Sequence, residues 1–186
     1  MVKLVLGLTG TIGAGKDVVS EHLKQKYKFK EIHMGDLTRE ELKEAGLEEN
    51  RENLQALSKE RTDKFGQDYW SKKAAKRVES LKTDLVIING VRRPIDVTVP
   101  KKEFGNKYKL LLIDADPKIR FERLKLRNRP GDPKTLEEFK KQEAAEHKIF
   151  DFEGTKRLVD FTIKNEAGLD ILYAEVDKLM KGLLGL

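Results

Sequence analysis

Residues 10 to 16 read Gly-Thr-Ile-Gly-Ala-Gly-Lys, a G-x-x-x-x-G-K spacing, and an acid, Asp17, follows directly. Glycines at this density let a backbone curl until its N–H groups converge on an anion. A lysine closing such a loop reaches the β- and γ-phosphates of a nucleotide and offsets the charge that develops there. An apolar run, Leu4 to Leu8, leads into the loop and a helical pattern leads out of it. That is the strand, loop and helix context a phosphate-binding loop requires. The helix N-terminus adds partial positive charge at the same point. The expected ligand is ATP with Mg²⁺, contacted by Gly10, Thr11, Ile12, Gly13, Ala14, Gly15, Lys16 and Asp17. Asp17 stands where the motif carries the Ser or Thr that holds the metal. Three roles fit a carboxylate there: a metal ligand, an acceptor for the proton of an incoming hydroxyl, or a favourable first-turn acid.

Phosphoryl transfer otherwise needs cations around the moving group. Arg92 follows a strongly apolar segment, Asp84 to Asn89, at a strand end where ligands collect. A guanidinium at that point can grip an acceptor phosphate with two parallel hydrogen bonds. Arg93 is its neighbour, and one of the pair is expected to point inward. On the segment 117 to 127, Arg120, Arg123 and Arg127 fall within a wedge of about 60° on a helical wheel. Arg123 and Arg127 are expected at the transferred phosphoryl and Arg129, just beyond, at the nucleotide. Arg120 is read as part of a solvated face paired with Glu122. Asp36 and Arg39, three apart behind a glycine, are acceptor-binding candidates, and Asp36 fits equally as a helix N-cap. Arg61 joins them as a substrate-binding candidate. The segment Phe65 to Trp70 could help form the acceptor pocket, its aromatics stacking on a base, though core packing fits them better. Asn89 is a weaker metal partner and cannot act as a base, which leaves more of the metal or base chemistry to Asp17 or Asp36. His22, His33 and His147 share no metal-binding spacing and receive no catalytic role.

The elements that must position these residues follow from hydrophobic period. Short apolar runs at Leu4 to Leu8, Lys30 to His33, Asp84 to Asn89, Tyr108 to Asp114 and Phe161 to Lys164 read as strands. Helical spacing covers 16 to 27, then two or three helices within 36 to 82 with breaks at Gly46 and Gly66. It continues over 117 to 127, where Pro occupies the first turn, and over 135 to 147 and 169 to 184. Arg129 to Pro133 reads as a turn. Strands alternating with helices give an α/β domain with a mainly parallel sheet.

Composition narrows the function classes. The chain has 186 residues, 38 Lys+Arg against 32 Asp+Glu, and a formal charge of +6. The basic residues are interleaved with acidic ones, a solvated helical surface rather than a segregated nucleic-acid stripe. Cysteine is absent, so disulfide frameworks and thiol catalysis are excluded. No apolar stretch approaches the ~20 residues of a membrane span, and no signal-peptide core follows Met1. A cytoplasmic location is expected.

Several segments carry a resemblance. Gly7 to Lys16 resembles the opening of dephospho-CoA kinases. His33-Met34-Gly35-Asp36-Leu37-Thr38-Arg39 is similar to the acceptor segment of adenylate-kinase-like proteins and related archaeal nucleotide kinases. Gly15-Lys16-Asp17 resembles the Gly-Lys-Asp of deoxynucleoside monophosphate kinases and of one phosphomevalonate kinase group. Asn89-Gly90-Val91-Arg92 is similar to the Asp-Gly-Ile-Arg ending the third strand in these relatives. Asn165-Glu166-Ala167-Gly168 resembles the loop bordering the adenine, which makes Asn165 a nucleotide-binding candidate. The resemblance runs in order over nearly the whole chain.

It implies a three-layer P-loop NTPase fold of the nucleoside monophosphate kinase type, with five parallel strands and helices on both faces. One domain spans 1–186, with its core at 1–35, 84–128 and 149–186. An acceptor-binding insert covers about 36–83 and a lid about 127–148. The implied activity is ATP- and Mg²⁺-dependent transfer to a small nucleotide-like acceptor, first a nucleoside or deoxynucleoside monophosphate. The alternative acceptor is the ribose hydroxyl of dephospho-CoA. A non-catalytic nucleotide switch and a nucleic-acid partner protein are the readings from other classes. Steady phosphotransfer separates the kinase from both, and a steep salt dependence would mark the last.

Overall fold

The computed structural model describes residues 2–129 and 131–186. Five strands form one sheet: β1 (Leu4–Thr9), β2 (Lys30–His33), β3 (Leu85–Asn89), β4 (Tyr108–Asp114) and β5 (Phe161–Lys164). Their spatial order is β2-β3-β1-β4-β5 and every pairing is parallel. Near-continuous apolar composition is what a parallel sheet covered on both faces demands. All six residues of β1 are buried, and the three central strands carry most of the core.

Alternation along β1 divides that core in two. Leu4, Leu6 and Leu8 face α1 (Lys16–Tyr27) and α9 (Leu169–Leu184), where Val19, Leu23, Val176 and Met180 complete the layer. Val5 faces the other side with Val86 and Ile88. There it meets Trp70, Ala74 and Val78 of α4 (Tyr69–Ser80) and Val97 of α5 (Pro94–Phe104). Gly7 shares that face. A Cβ there would lie 2.3 Å from Tyr108 Oη, so the buried tyrosine ring fills the space over β1 that a side chain would occupy.

Between β2 and β3 lie α2 (Met34–Glu44), α3 (Arg51–Phe65) and α4. The breaks expected at Gly46 and Gly66 fall behind α2 and at the end of α3. The three helices converge on Glu41. Its carboxylate accepts from Tyr69 Oη and Lys73 Nζ at 2.5 Å and from Arg61 Nε at 2.8 Å. Burial pushes this carboxyl up, but the bonds from Lys73, Tyr69 and Arg61 outweigh it and hold the group below its ordinary value. A buried acid with three donors resists separation, because losing one partner strands charge in the interior.

After β4 come α6 (Pro117–Arg127), α7 (Leu136–Phe150) and α8 (Phe152–Lys156). Asp116 caps α6, and the Thr135–Glu138 capping box starts α7. The turn expected at 129 to 133 includes Pro130, which lies outside the described residues. Helix α5 has no counterpart in the hydrophobic-period reading. Its β-branched residues and its two prolines, at the first position and at Pro100 inside, erase a helical signature.

Candidate active site

The carboxyl ends of β1, β2 and β3 open into a cleft of about 830 Å³. At its floor the loop 10–16 runs from β1 into α1. Gly13 has φ +79°, and a Cβ there would stand 2.8 Å from the Arg120 carbonyl oxygen. Gly15 has φ +101°, and a Cβ there would stand 2.3 Å from Asn165 Nδ2. Both positions need glycine for conformation and for space. Lys16 turns back along the loop, donating from Nζ to the carbonyls of Gly10 at 2.7 Å and Thr11 at 3.2 Å. Burial of Nζ, then the charge of Arg92, bring its pKa down from 10.5 to about 8. Thr11 Oγ1 is buried without a hydrogen-bond partner in the same loop.

Gly10, Thr11, Ile12, Gly13, Gly15, Lys16 and Asp17 line the cleft. Ala14 does not; it is fully buried, and its carbonyl accepts from Asn165 Nδ2 at 2.8 Å. Asn165 is likewise buried beneath the loop instead of bordering the cleft. Its backbone carbonyl and Oδ1 accept from Arg123 Nη2 at 2.9 and 3.2 Å. One amide thus holds both the loop and an arginine that lines the cleft. Arg123 also donates weakly to the Gly13 carbonyl at 3.5 Å, and burial lowers its pKa. Arg127 and Arg129 line the cleft as well, and Asp132 accepts from the Arg127 guanidinium and the Arg129 N–H.

Arg92 reaches the cleft from the loop after β3, its guanidinium 5.0 Å from the centre of the Phe150 ring. Its backbone is fixed from two sides. Asp96 Oδ2 accepts from the N–H groups of Arg92 and Arg93 at 3.3 and 3.0 Å, and Thr155 donates to the Arg92 carbonyl at 2.8 Å. Arg93 ends beside Asp96 Oδ1, 3.6 Å away, and the Gln67 carbonyl.

Three expected positions fall elsewhere. Asp36 is largely exposed, bonds Arg39 at 2.7 Å and does not border the cleft. It is not the helix cap either: α2 begins at Met34, and His33 Nδ1 accepts from the Gly35 N–H. Arg39 does border the cleft while bonding Asp36 and Glu49. Arg61 is drawn away by Glu41 and Glu60, because the buried Glu41 requires cationic partners. Arg120 is not solvated: it is 4% exposed and pairs with Glu143, not Glu122.

The fold adds residues that spacing left unmarked. Glu146, His147 and Phe150 bring α7 to the cleft, and His33, Thr38 and Ser58 bring the helical segment to it; Trp70, from the aromatic run noted in the sequence, borders it too while packing in the core. Glu146 and His147 sit one helical turn from Glu143, yet nothing in their own spacing told which face of α7 turns inward. Asn89 Nδ2 bonds Glu31, which also accepts from Ser20, while Asn89 Oδ1 is buried without a partner.

The residues present suit a nucleotide and a divalent cation. The glycine cradle admits backbone close to an anion, Lys16, Arg92, Arg123, Arg127 and Arg129 line the cleft around it, and Asp17 and Glu146 bring carboxylates near the lysine. Among the described residues no cluster of three or more His, Cys, Asp or Glu could hold a metal alone. A divalent cation held by Asp17 would therefore need phosphate oxygens to complete its coordination.

Comparisons with known proteins agree with this geometry. Residues 9–140 match the AAA domain family. A UPF0200 protein of Pyrococcus furiosus is 35% identical over 180 residues, covering 95% of this chain and 96% of the relative. A UPF0200 protein of Hyperthermus butylicus is 32% identical over 183 residues, covering 98% and 96%. Shikimate kinase from Acinetobacter baumannii, solved in complex with shikimate, superposes with a TM-score of 0.57 at 15% identity, covering 98% of this chain and 93% of that one. That likeness shows the fold: a five-stranded all-parallel P-loop kinase-like sheet. With the family match spanning most of its length and relatives above 30% identity end to end, the chain belongs to the AAA domain family and to the UPF0200 proteins.

Proposed function

We propose that this protein is an ATP- and Mg²⁺-dependent kinase acting on a small, nucleotide-like acceptor, with a nucleoside or deoxynucleoside monophosphate as the leading class. The observation that carries the reading is the cleft itself: one continuous space joins the Lys16 loop to Arg92 and Arg39. Two anionic groups, donor phosphates and an acceptor phosphate, account for cations at both ends.

The chain's own residues divide the work as follows. The loop amides and Lys16 hold the donor phosphates. Arg123 and Arg127 converge on the transferred group from α6, and Arg129 stays on the donor side. Arg92 orients the acceptor, because its backbone is locked by Asp96 and Thr155 before any ligand arrives. Asn165 positions Arg123 and the loop together. Bound Mg²⁺ would supply charge neutralisation on the donor phosphates, held on the protein side by Asp17. Segments 36–83 and 127–148 act as acceptor-binding insert and lid, whose closure would exclude water.

A hydroxyl acceptor, as in dephospho-CoA, is the second reading. Asp17 and Glu146 in the same cleft favour it, since a hydroxyl must lose a proton and a phosphate need not. The test is ADP formation from ATP–Mg²⁺ across AMP, CMP, UMP, GMP, their deoxy forms, dTMP, dephospho-CoA and phosphomevalonate, with a no-acceptor control. Stimulation by a monophosphate supports the first reading and by dephospho-CoA the second. Tight ATP binding with no stimulation by any acceptor would instead favour a nucleotide switch. Lys16→Ala should cut transfer by orders of magnitude while the far-ultraviolet dichroism is unchanged.

A further inference from the structure

Arg120 is charged and buried, its partner Glu143 is charged with a side chain only 15% exposed, and neither is used by any step described above. Arg120 lies on α6, and its Nε donates to the Ala115 carbonyl at 2.8 Å. Its Nη1 reaches the Ile12 carbonyl, at the tip of the phosphate loop, at 3.4 Å. The same nitrogen stands 2.5 Å from Glu143 Oε1 on α7. The guanidinium lies 5.1 Å from the centre of the Phe139 ring, also on α7. Ile12 itself packs with Phe121, Leu124 and Phe139 in a small core under that helix. Loop tip, α6 and α7 therefore meet at one side chain through an ion pair, a backbone bond and an apolar cluster.

We infer that Arg120 and Glu143 are positioning residues that couple the phosphate loop to α7, so that filling the loop with phosphate fixes the wall that α7 gives the cleft. The inference rests on the reading of the loop as a nucleotide site. Three features support coupling over packing alone. First, a buried ion pair is a costly way to fill space, since apolar residues of similar volume pack as well without desolvating charge. Second, the loop tip approaches α6 closely. There is no room between them even for a Cβ on Gly13, which would lie 2.8 Å from the Arg120 carbonyl oxygen, so a larger movement of Ile12 and Gly13 toward α6 is passed on. Third, the far end of the pair reaches the cleft within one helical turn. Glu143 Oε1 is 4.0 Å from His147 Nε2; both atoms are buried without a hydrogen bond, so the carboxylate meets Arg120 as an ion pair alone, and the imidazole stacks on Phe152 at 4.7 Å. His147 and the adjacent Glu146 both line the cleft. Coupling of this kind is reciprocal: ligand held against α7 would tighten the loop by the same factor that phosphate in the loop tightens α7.

Hydrogen exchange read by mass spectrometry on the full chain, with and without a non-hydrolysable ATP analogue and Mg²⁺, tests this. In the natural sequence the analogue should slow exchange in two places, the loop 10–16 and helix α7. In Glu143→Gln, which keeps shape and removes charge, loop protection should persist while the protection of α7 falls by roughly fivefold or more. Arg120→Met should do the same. Glu137→Gln, which disrupts only the exposed Glu137–Lys141 pair on the same helix, should leave both responses intact. Glu143→Gln keeps the test usable should Arg120→Met fail to fold. Undiminished α7 protection in Glu143→Gln, or loop protection without any α7 response in the natural sequence, would overturn the coupling. No protection anywhere in the natural sequence would overturn the nucleotide reading, and the coupling with it, a result distinguishable because the loop itself stays silent.

Discussion

Raising the pH from about 7.5 to about 9 should remove most of the affinity for nucleotide, and Lys16 is the reason. In the free protein, burial and then the charge of Arg92 lower this lysine to about 8. Phosphate oxygens favour the ammonium form, so binding returns the group toward its ordinary 10.5 and takes up a proton between the two values. With a free pKa of about 8, the protonated fraction falls from about 0.76 at pH 7.5 to about 0.09 at pH 9. Affinity should fall by the same ratio, about eightfold, or about 1.3 kcal/mol. Calorimetric titration with ADP–Mg²⁺ in two buffers of different ionisation enthalpy should register uptake of about three-quarters of a proton at pH 8.5. Lys16→Arg, always charged, should bind with little dependence on pH in this window. For folding the sign is opposite. A lysine lowered in the folded state penalises it below about pH 8, and that penalty fades as pH rises toward 10.5. Flat nucleotide affinity and no proton uptake between pH 7.5 and 9 would refute the enclosed-lysine account.

Gly13→Ala should lose about 1–2 kcal/mol from the left-handed backbone alone, with more from the 2.8 Å contact to Arg120. The denaturant midpoint should drop, and nucleotide affinity with it. Arg92→Ala should raise the acceptor KM by tenfold or more, on the order of 1.5–3 kcal/mol for a charge-assisted bond. The ATP KM should move little, since Asp96 and Thr155 hold the loop by its backbone; a defect confined to ATP would show the acceptor lies elsewhere. Asp17→Asn should lower turnover more than ATP affinity and raise the Mg²⁺ concentration needed for half-maximal rate. Unchanged turnover would return Asp17 to a helix-start role.

Much of the scaffold is legible in the order of residues because strands buried on both faces must be apolar throughout. Leu4 to Leu8 and Tyr108 to Asp114 announce themselves in this way, and β2, β4, β5, α6 and α9 run as their patterns indicate. The phosphate loop is legible for a different reason. Its glycines answer a backbone requirement local to seven residues, visible without knowing any neighbour. Helix α5 is hidden because its face is set by what it packs on, while Pro100 and its β-branched residues blur the helical period.

Side-chain partners across elements divide what remains. Spacing places Arg120, Arg123 and Arg127 on one helical wedge, yet packing sends the first into a buried pair with Glu143 and leaves the other two at the cleft. Spacing makes Arg61 and Asp36 plausible acceptor groups, yet Glu41 claims one and Arg39 the other. It leaves His147 unmarked until α7 folds against α6 and turns it inward. The sequence by itself determines the parallel sheet, the glycine loop and the lysine at its end, because backbone geometry fixes distances within one element. The tertiary structure alone decides which arginines face the cleft, which carboxylates neutralise the rest and how the loop meets α7, because those contacts join residues distant along the chain and follow from how helices pack.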